Sequence, residues 1–331
     1  MKLFDVAVVG ATGLVGRKII QVLEERKFPV GRLRPLATAH SIGKMIEFNG
    51  KAIPVEELKP DSFRGIELAL FSAGAAVSKE YAPRAVKAGS VVIDNSSAFR
   101  MEEHVPLVVP EVNAKQISHH KGIISNPNCS TIQMVVVLKP LHDRWKIKRV
   151  VVATYQSVTG AGKRAVDQLE AELEEETDIV RKFPHPIAYN VLPQVDVFYD
   201  DGYSREELKM ANETKKTMDD ESIKVTATCV RVPVVGGHSE SVNIEFERPF
   251  DVNEVKEVLK HAQGVCVQDD VQRSIYPMPI WAHDKDDVFV GRIRRDGTVK
   301  YGLNLWIVSD NLRKGAATNA VQIAEEWIKC Q

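Results

Sequence analysis

The stretch DVAVVGATGLVGRKII, residues 5–20, decides the fold. A short β-branched run, DVAVVG (5–10), ends on a glycine turn, and the turn opens directly into helical spacing, LVGRKIIQVLEERK (14–27). The glycines stand as GxxGxxG, at Gly10, Gly13 and Gly16, rather than as the stricter GxGxxG. Glycine lets the chain turn tightly and lets an anion approach the free N–H groups of a helix start, where the dipole also favours negative charge. By itself such a turn also suits plain packing. At the first strand-to-helix junction it predicts a dinucleotide site.

The residues that follow keep the alternation. LRPLAT (33–38) reads as extended. MIEFNGKAIPV (45–55) carries Asn49-Gly50 between two apolar runs, a hairpin signal. IELALFSAG (66–74) is a strand ending in small residues, AAVSKEYAPRAVKAG (75–89) a helix stopped by glycine, and SVVIDNSS (90–97) another strand. Strands alternating with helices imply a parallel sheet with helical crossovers. The second strand ends in LATAHSIGK without the acid that usually holds the ribose of NAD. Thr38, His40, Ser41 and Lys44 are donors there that suit a 2′-phosphate, which favours NADP(H).

Length and composition bound the rest. A chain of 331 residues predicts two domains. At 44% hydrophobic and 27% charged it is globular in composition, not disordered. Its 44 basic and 45 acidic residues give a net charge of −1, so charge offers no case for a nucleic-acid or membrane partner. The first apolar run is short, holds Asp5 and enters a glycine turn, so it reads as a strand and not as a secretory signal. Four cysteines without CxxC spacing predict no disulfide framework and a reducing, cytoplasmic setting. No metal site is expected.

The texture changes at SNPNCST (125–131). An apolar helix, STIQMVVVLKPLHDRW (130–145), follows, capped by Ser130 or Asn128. Long strands come next: RVVVATYQSVTGAGK (149–163), IKVTATCVRVPV (223–234), ESVNIEFERP (240–249) and DVFVGRIRRDGTVKYGLNLWIVS (287–309), the last with a second hairpin signal at Asp296-Gly297. They predict a mainly antiparallel sheet with helices on one face. NLRKGAATNAVQIAEEWIKC (311–330) is an amphipathic helix that returns to the first domain, and LEAELEEETD (169–178) reads as a solvated helix face. The expected domains are therefore 1–128 plus 312–331 for the dinucleotide and 129–311 for catalysis and dimerisation.

Cys129 lies at a helix start, a position that favours the thiolate, which is the nucleophile of cysteine chemistry. A nucleophile needs a base within reach. Of nine histidines, His238 stands out, because VPVVGGHSES places it in a glycine-rich turn between strands. Arg231, on the strand before it, suits a carboxylate. Cys229, Cys266 and Cys330 read as packing or bystander residues.

Eight motifs in this order resemble the aspartate-β-semialdehyde dehydrogenase family over nearly the whole chain: GATGLVG (10–16), SAG (72–74), DNSSAFR (94–100), NPNCST (126–131), TYQSVTGAG (154–162), NETKK (212–216), RVPVVGGHSE (231–240) and KGAATNAVQ (314–322). The resemblance implies a Rossmann-type α/β domain and a second α+β domain like that of glyceraldehyde-3-phosphate dehydrogenase. It implies Cys129 as nucleophile, His238 as acid/base, Gln156 orienting the acyl group and Asn128 beside the nucleophile. Arg231 would grip the substrate carboxylate, Glu213 its amino group, and Arg100 with Lys216 the phosphate. Gly10, Thr12, Gly13, Leu14 and Val15 match the pyrophosphate turn, and Thr38, His40 and Ser41 the 2′-phosphate loop. Ser72, Ala73, Gly74, Asn95, Ser157, Gly160 and Asn319 match further cofactor positions. His40 is a departure, since relatives of this type often carry arginine in that loop.

The implied reaction interconverts L-aspartate 4-semialdehyde and L-4-aspartyl phosphate through a cysteine thioester, with NADP and inorganic phosphate, in biosynthesis of lysine (by way of diaminopimelate), methionine and threonine. The implied assembly is a homodimer or a dimer of dimers. An N-acetyl-γ-glutamyl-phosphate reductase shares the chemistry, but its cysteine stands in GCYPT and this one in NCSTI. A non-catalytic nucleotide-binding protein would have lost the catalytic set, whereas Cys129, Gln156, Arg231 and His238 are all present.

Overall fold

The structure, a computed structural model, describes residues 2–330; Met1 and Gln331, the outermost residues of the expected first domain, lie outside the described residues. The first part of the chain builds β1 (Phe4–Val9), α1 (Leu14–Glu25), β2 (Val30–Ala37), β3 (Met45–Phe48), β4 (Lys51–Pro54), β5 (Glu56–Glu57), β6 (Leu68–Phe71), α2 (Ala75–Lys87), β7 (Val91–Asp94), α3 (Pro110–Asn113) and β8 (Ile123–Ser125). It continues as α4 (Cys129–Trp145), β9 (Ile147–Gln156), α5 (Lys163–Leu173), α6 (Arg205–Met218), β10 (Lys224–Arg231), β11 (His238–Phe246), α7 (Val252–Lys260), β12 (Val265–Val267), α8 (Pro279–Ala282), β13 (Val288–Asp296), β14 (Gly302–Ser309) and α9 (Thr318–Lys329). Two compact units result, Met1–Asn128 with Ala316–Gln331, and Cys129–Gly315.

The first unit carries a six-stranded sheet in the order β5-β2-β1-β6-β7-β8, every pair parallel. A strand covered on both faces needs apolar residues at every position rather than alternation. β1 meets that demand except at the half-buried Asp5, which pairs with Arg32: Phe4, Val6 and Val8 pack with Ile19, Leu23, Val321 and Trp327 on one side, while Ala7 and Val9 pack with Phe63, Ala82 and Ala85 on the other. Each fully buried valine or leucine contributes about 1.5–3 kcal/mol, so this strand is the unit's anchor. The strand order reverses at β1, which puts a crevice beyond the carboxyl ends of β1 and β6. The Asn49-Gly50 hairpin forms as β3 and β4, with φ of 50° and 69° at its two central residues.

The second unit has a six-stranded mixed sheet, β10-β9-β11-β14-β13-β12, with three antiparallel pairs in the middle and a parallel pair at each edge. α4 lies on one face of it, against β9, β11, β13 and β14, with α6 and α7 beside it. Its run Ser130–Leu138 is buried on every side, which is why its sequence shows little amphipathic contrast.

Three expectations change. The second boundary falls after Gly315 rather than after residue 311. Asp310 explains this: Oδ1 accepts from the Leu312 and Arg313 amides, its carbonyl accepts from Gly315 N, and Arg313 pairs with Asp284 and Asp286. These contacts tie 312–315 to the second unit. The Asp296-Gly297 hairpin forms between β13 and β14, but with a longer loop than a two-residue turn. The connection runs from 297 to 301, and Asp296 Oδ1 takes up the Thr298 amide and hydroxyl, a local turn that competes with the tight reversal. The acidic run is not wholly a solvated face. Glu172 accepts from the Ile187 and Ala188 amides at 2.7 and 2.8 Å and pins the loop that follows α5.

Candidate active site

Sheet topology assembles the side chains of the second unit. β9 and β10 run parallel and end together, with Gln156 opposite Arg231. β11 runs antiparallel to β9 and begins at that same end, with Ser239 opposite Tyr155, so His238 lies beside the close of β9. Side chains alternate along a strand, and Gln156, Arg231 and His238 all point to the buried face. α4 joins β9 through the single residue Lys146 and lies back along it. Its first residue, Cys129, therefore comes to the end of the sheet where Gln156, Arg231 and His238 stand.

Ser157 ties the group together. Its amide donates to His238 Nδ1 at 3.0 Å, its carbonyl accepts from Arg231 Nη1 at 2.7 Å, and its hydroxyl donates to Asn311 Oδ1 at 2.9 Å. Asn311 Oδ1 also accepts from Thr159 Oγ1 and from Gly237 N, so one buried amide clamps the turn after β9 to the turn before His238. Gly160 is glycine for want of room. A Cβ there would come within 3.0 Å of Arg231 Nη1 and 3.1 Å of His238 Nε2. A Cβ at Gly315 would lie 2.9 Å from Cys129 Cβ. Gln156 donates to Glu206 Oε1 at 3.2 Å, and Glu206 sits in the first turn of α6. Glu213 and Lys216 are one turn apart on α6, the first buried and the second half-buried.

The electrostatics of this site follow from burial. His238 is fully buried, and burial together with the Arg231 guanidinium holds its imidazole well below the usual histidine range. It is neutral at neutral pH. Burial also lowers Arg231, while Glu206 and Cys129 act on it in the opposite direction. At this end of the sheet His238 Nε2 and Arg231 Nε are among the buried polar atoms that have no hydrogen-bond partner among the described residues. Orphaned buried polar groups of this kind are costly unless a ligand meets them. Cys229 is pushed upward by burial and Cys266 likewise, which leaves both as thiols, and Cys330 is exposed.

The first unit places its residues at the carboxyl ends of the parallel strands. Gly10 has a φ of 84°, and a Cβ on it would stand 2.9 Å from the Ser72 carbonyl; a Cβ on Gly16 would stand 2.1 Å from Gly10 O. Both glycines are thus demanded by close backbone approach. Gly13 caps α1 in extended conformation, and Leu14 and Val15 open its first turn. This cradle fits a pyrophosphate. Thr12 Oγ1 meets Ser41 Oγ at 3.2 Å, which joins the cradle to the loop where Thr38 and His40 are exposed. Ser72, Ala73 and Gly74 form the turn after β6, with Gly74 at φ 89°. A chain of amides spans the same end: Asn319 donates to Asn126 Oδ1 at 2.6 Å, Asn126 to Asn95 Oδ1 at 2.8 Å, and Asn95 to Phe71 O at 2.9 Å. Arg100 donates to the Asn126 and Asn95 carbonyls, and Asn128 is buried before the second unit begins.

Sequence reasoning missed Asn126, Glu206, Asn311 and Gly315. Gly315 and Asn126 lay inside quoted motifs. Glu206 and Asn311 carried no local signal, because each acts through a partner 50 or more positions away.

The two units match two family models, a semialdehyde dehydrogenase NAD-binding domain over residues 5–120 and a semialdehyde dehydrogenase dimerisation domain over residues 138–314. Together they define a nicotinamide-dependent semialdehyde dehydrogenase. The chain is 56% identical to the aspartate-semialdehyde dehydrogenase of Aquifex aeolicus, over 98% of each chain. It superposes on aspartate semialdehyde dehydrogenase II from Vibrio cholerae, complexed with ASA, with a TM-score of 0.96 at 46% identity over 99% of both. It also superposes on an aspartate semialdehyde dehydrogenase with NADP from Candida albicans, with a TM-score of 0.78 at 27% identity over 99% of both. The chain belongs to the aspartate-semialdehyde dehydrogenase family. No helix among the described residues is long and apolar enough to cross a membrane.

Proposed function

We propose that the chain interconverts L-aspartate 4-semialdehyde and L-4-aspartyl phosphate, with Cys129 as the nucleophile and NADP(H) as the cofactor. The observation that carries this reading is the pair of orphaned atoms, His238 Nε2 and Arg231 Nε, buried at the sheet end from which the Cys129 helix begins. A buried guanidinium with an unmet N–H suits the substrate's α-carboxylate. Glu213 suits its ammonium. Gln156, steadied by Glu206, orients the acyl oxygen, and Asn128 stands beside the nucleophile. Amide groups at the start of α4 stabilise charge on that oxygen. Lys216 and Arg100 serve the phosphate that cleaves the thioester. When bound, the nicotinamide supplies hydride exchange with the tetrahedral carbon.

Gly10, Thr12, Gly13, Leu14 and Val15 hold the pyrophosphate. Thr38, His40 and Ser41 face the 2′-phosphate, supported by the Thr12–Ser41 contact and by the NADP seen in the Candida albicans relative. Ser72, Ala73, Gly74, Asn95, Ser157, Gly160 and Asn319 complete the cofactor's surroundings. The assembly is a homodimer, a reading supported by the dimerisation-domain match and by the exposed Trp281, Ile280 and Tyr155 of the second unit. The setting is the cytoplasm, which suits four free cysteines.

The test is phosphate-dependent reduction of NADP and of NAD, measured with aspartate semialdehyde and with N-acetylglutamate semialdehyde, and repeated without phosphate. Faster turnover of the acetylglutamate compound would overturn the substrate assignment. Equal rates with NAD would overturn the cofactor preference.

A further inference from the structure

The Arg231 guanidinium is tied down along one edge and open along another. Its Nη1 donates to the Ser157 carbonyl at 2.7 Å, while its Nε is buried without a partner among the described residues. Nε and Nη2 carry the parallel pair of N–H groups that a carboxylate accepts in bidentate fashion. Such a fork selects a carboxylate only if its plane is fixed.

The plane is fixed from outside the sheet, by the segment that follows α5. The ring of Phe183 covers the guanidinium, with 5.9 Å from the ring centroid to Cζ. Residues 182–188 form neither helix nor strand, so their amides need other partners. Two side chains of α5 supply them. Gln168 Oε1 accepts from the Lys182 and Phe183 amides at 2.6 and 2.8 Å, and Glu172 Oε2 accepts from the Ile187 and Ala188 amides at 2.7 and 2.8 Å. Gln168 Nε2 donates to Glu172 Oε1 at 2.7 Å, which locks the two holders together. Beneath the segment, Ile187 and Leu192 pack with Val158, Ala165 and Leu169, and the half-buried Phe183 packs against this cluster. Leu192 and Arg231 then exchange both backbone hydrogen bonds, at 2.9 and 2.8 Å. The same segment therefore holds the backbone of Arg231 and one face of its side chain.

We propose that Phe183 is a positioning residue for substrate recognition: its ring, held by Gln168 and Glu172, fixes the Arg231 plane so that the Nε–Nη2 fork meets the carboxylate of the aldehyde substrate. The proposal rests on the assignment of Arg231 to that carboxylate. The physical gain is twofold. An aromatic face attracts the cation and removes its freedom to turn, so less is lost when the carboxylate binds. The ring also keeps water from that face, and a charge-assisted pair is stronger where water is scarce. A ring that only filled the cluster under the loop would contribute to stability and leave substrate selection unchanged.

Steady-state kinetics of the intact enzyme separate the two roles, with aspartate semialdehyde and inorganic phosphate varied in turn. Phe183→Leu should raise the KM for aspartate semialdehyde about tenfold, with kcat and the KM for phosphate within about twofold of the parent. Phe183→Tyr keeps the ring and should stay within about twofold of the parent in all three quantities. An unchanged KM for the semialdehyde in Phe183→Leu overturns the proposal, as does an equal rise in the KM for phosphate or a Tyr variant as poor as the Leu variant. If Phe183→Leu melts early, Phe183→Met keeps the bulk without the ring and is judged by the same outcomes. The second measurement adds Phe183→Leu to Arg231→Lys. Lysine has no planar fork to hold, so the added change in KM should be less than about twofold. Full additivity of the two substitutions overturns the coupling. A parental KM for the semialdehyde in Arg231→Lys would instead sink the assignment of Arg231 to the carboxylate. A raised KM in Arg231→Lys beside a parental KM in Phe183→Leu would sink the role of the ring alone.

Discussion

The glycine cradle of the first unit and the cysteine–histidine cluster of the second solve different problems by different means. The cradle is made of backbone, within seven consecutive residues, and its side chains matter mainly by being absent: a Cβ at Gly16 would meet Gly10 O at 2.1 Å. The cluster is made of side chains drawn from α4, β9, β10 and β11, held by a serine amide and an asparagine side chain that touch no reacting atom in the proposed mechanism. A backbone site fails through steric intrusion, which displaces the fold and the ligand together. A side-chain site fails through lost chemistry, with the fold intact.

The largest expected effect is chemical. Cys129→Ser should lower kcat by about a thousandfold or more while leaving cofactor affinity and melting temperature near those of the parent. Turnover within tenfold of the parent would break the contrast at its centre. Steric intrusion comes next. Gly16→Ala puts a methyl against backbone that cannot yield, and should cost about 1–3 kcal/mol of stability and most of the cofactor affinity. Alkylation of Cys129 by iodoacetamide should continue at nearly the parent rate. A Gly16→Ala enzyme that binds cofactor normally in a fluorescence titration would show that the cradle tolerates what its geometry forbids.

A third test sharpens the account of the second unit through pH. Below its ordinary value near 6.5, His238 binds a proton in the unfolded chain that the folded chain refuses, so stability drops as pH falls through that value. Glu240 has the opposite sign. Its folded carboxyl keeps a proton that the unfolded chain releases above about 4.5, so its contribution is lost as pH rises from there. Glu240→Gln cannot release that proton, and its stability relative to the parent should climb between pH 5 and pH 8 in urea denaturation. A pH-independent difference would mean that Glu240 is ionised in the folded chain. The smallest effect belongs to the cofactor loop. His40→Arg should raise the preference for NADP over NAD by about fivefold, near 1 kcal/mol, because the loop is exposed and its charges are screened. No change in the ratio of kcat/KM values would place the 2′-phosphate elsewhere.

The parallel sheet was legible because both of its signals are local: short strands alternating with helical spacing, and glycines at the end of the first strand. The second sheet was legible as strands, but its order was not, since β9 pairs with β10 and β11 across long intervening segments. Both hairpins could be read, at Asn49-Gly50 and at Asp296-Gly297, but not the longer loop of the second, because at Asp296 the side chain captures the chain two residues on.

The sequence by itself determined the class of the molecule, the nucleotide turn, and the residue types able to perform acyl transfer. Spacing and side-chain chemistry are properties of the chain and survive without the fold. Only the tertiary structure decided that His238, already marked by its glycine-rich turn, lies with Arg231 at the close of β9, and which nitrogen of its ring is open. It also decided that Asn311, Glu206 and Gly315 belong to the site. Their roles are contacts between segments far apart in the chain, and such contacts exist only once burial has driven the segments together.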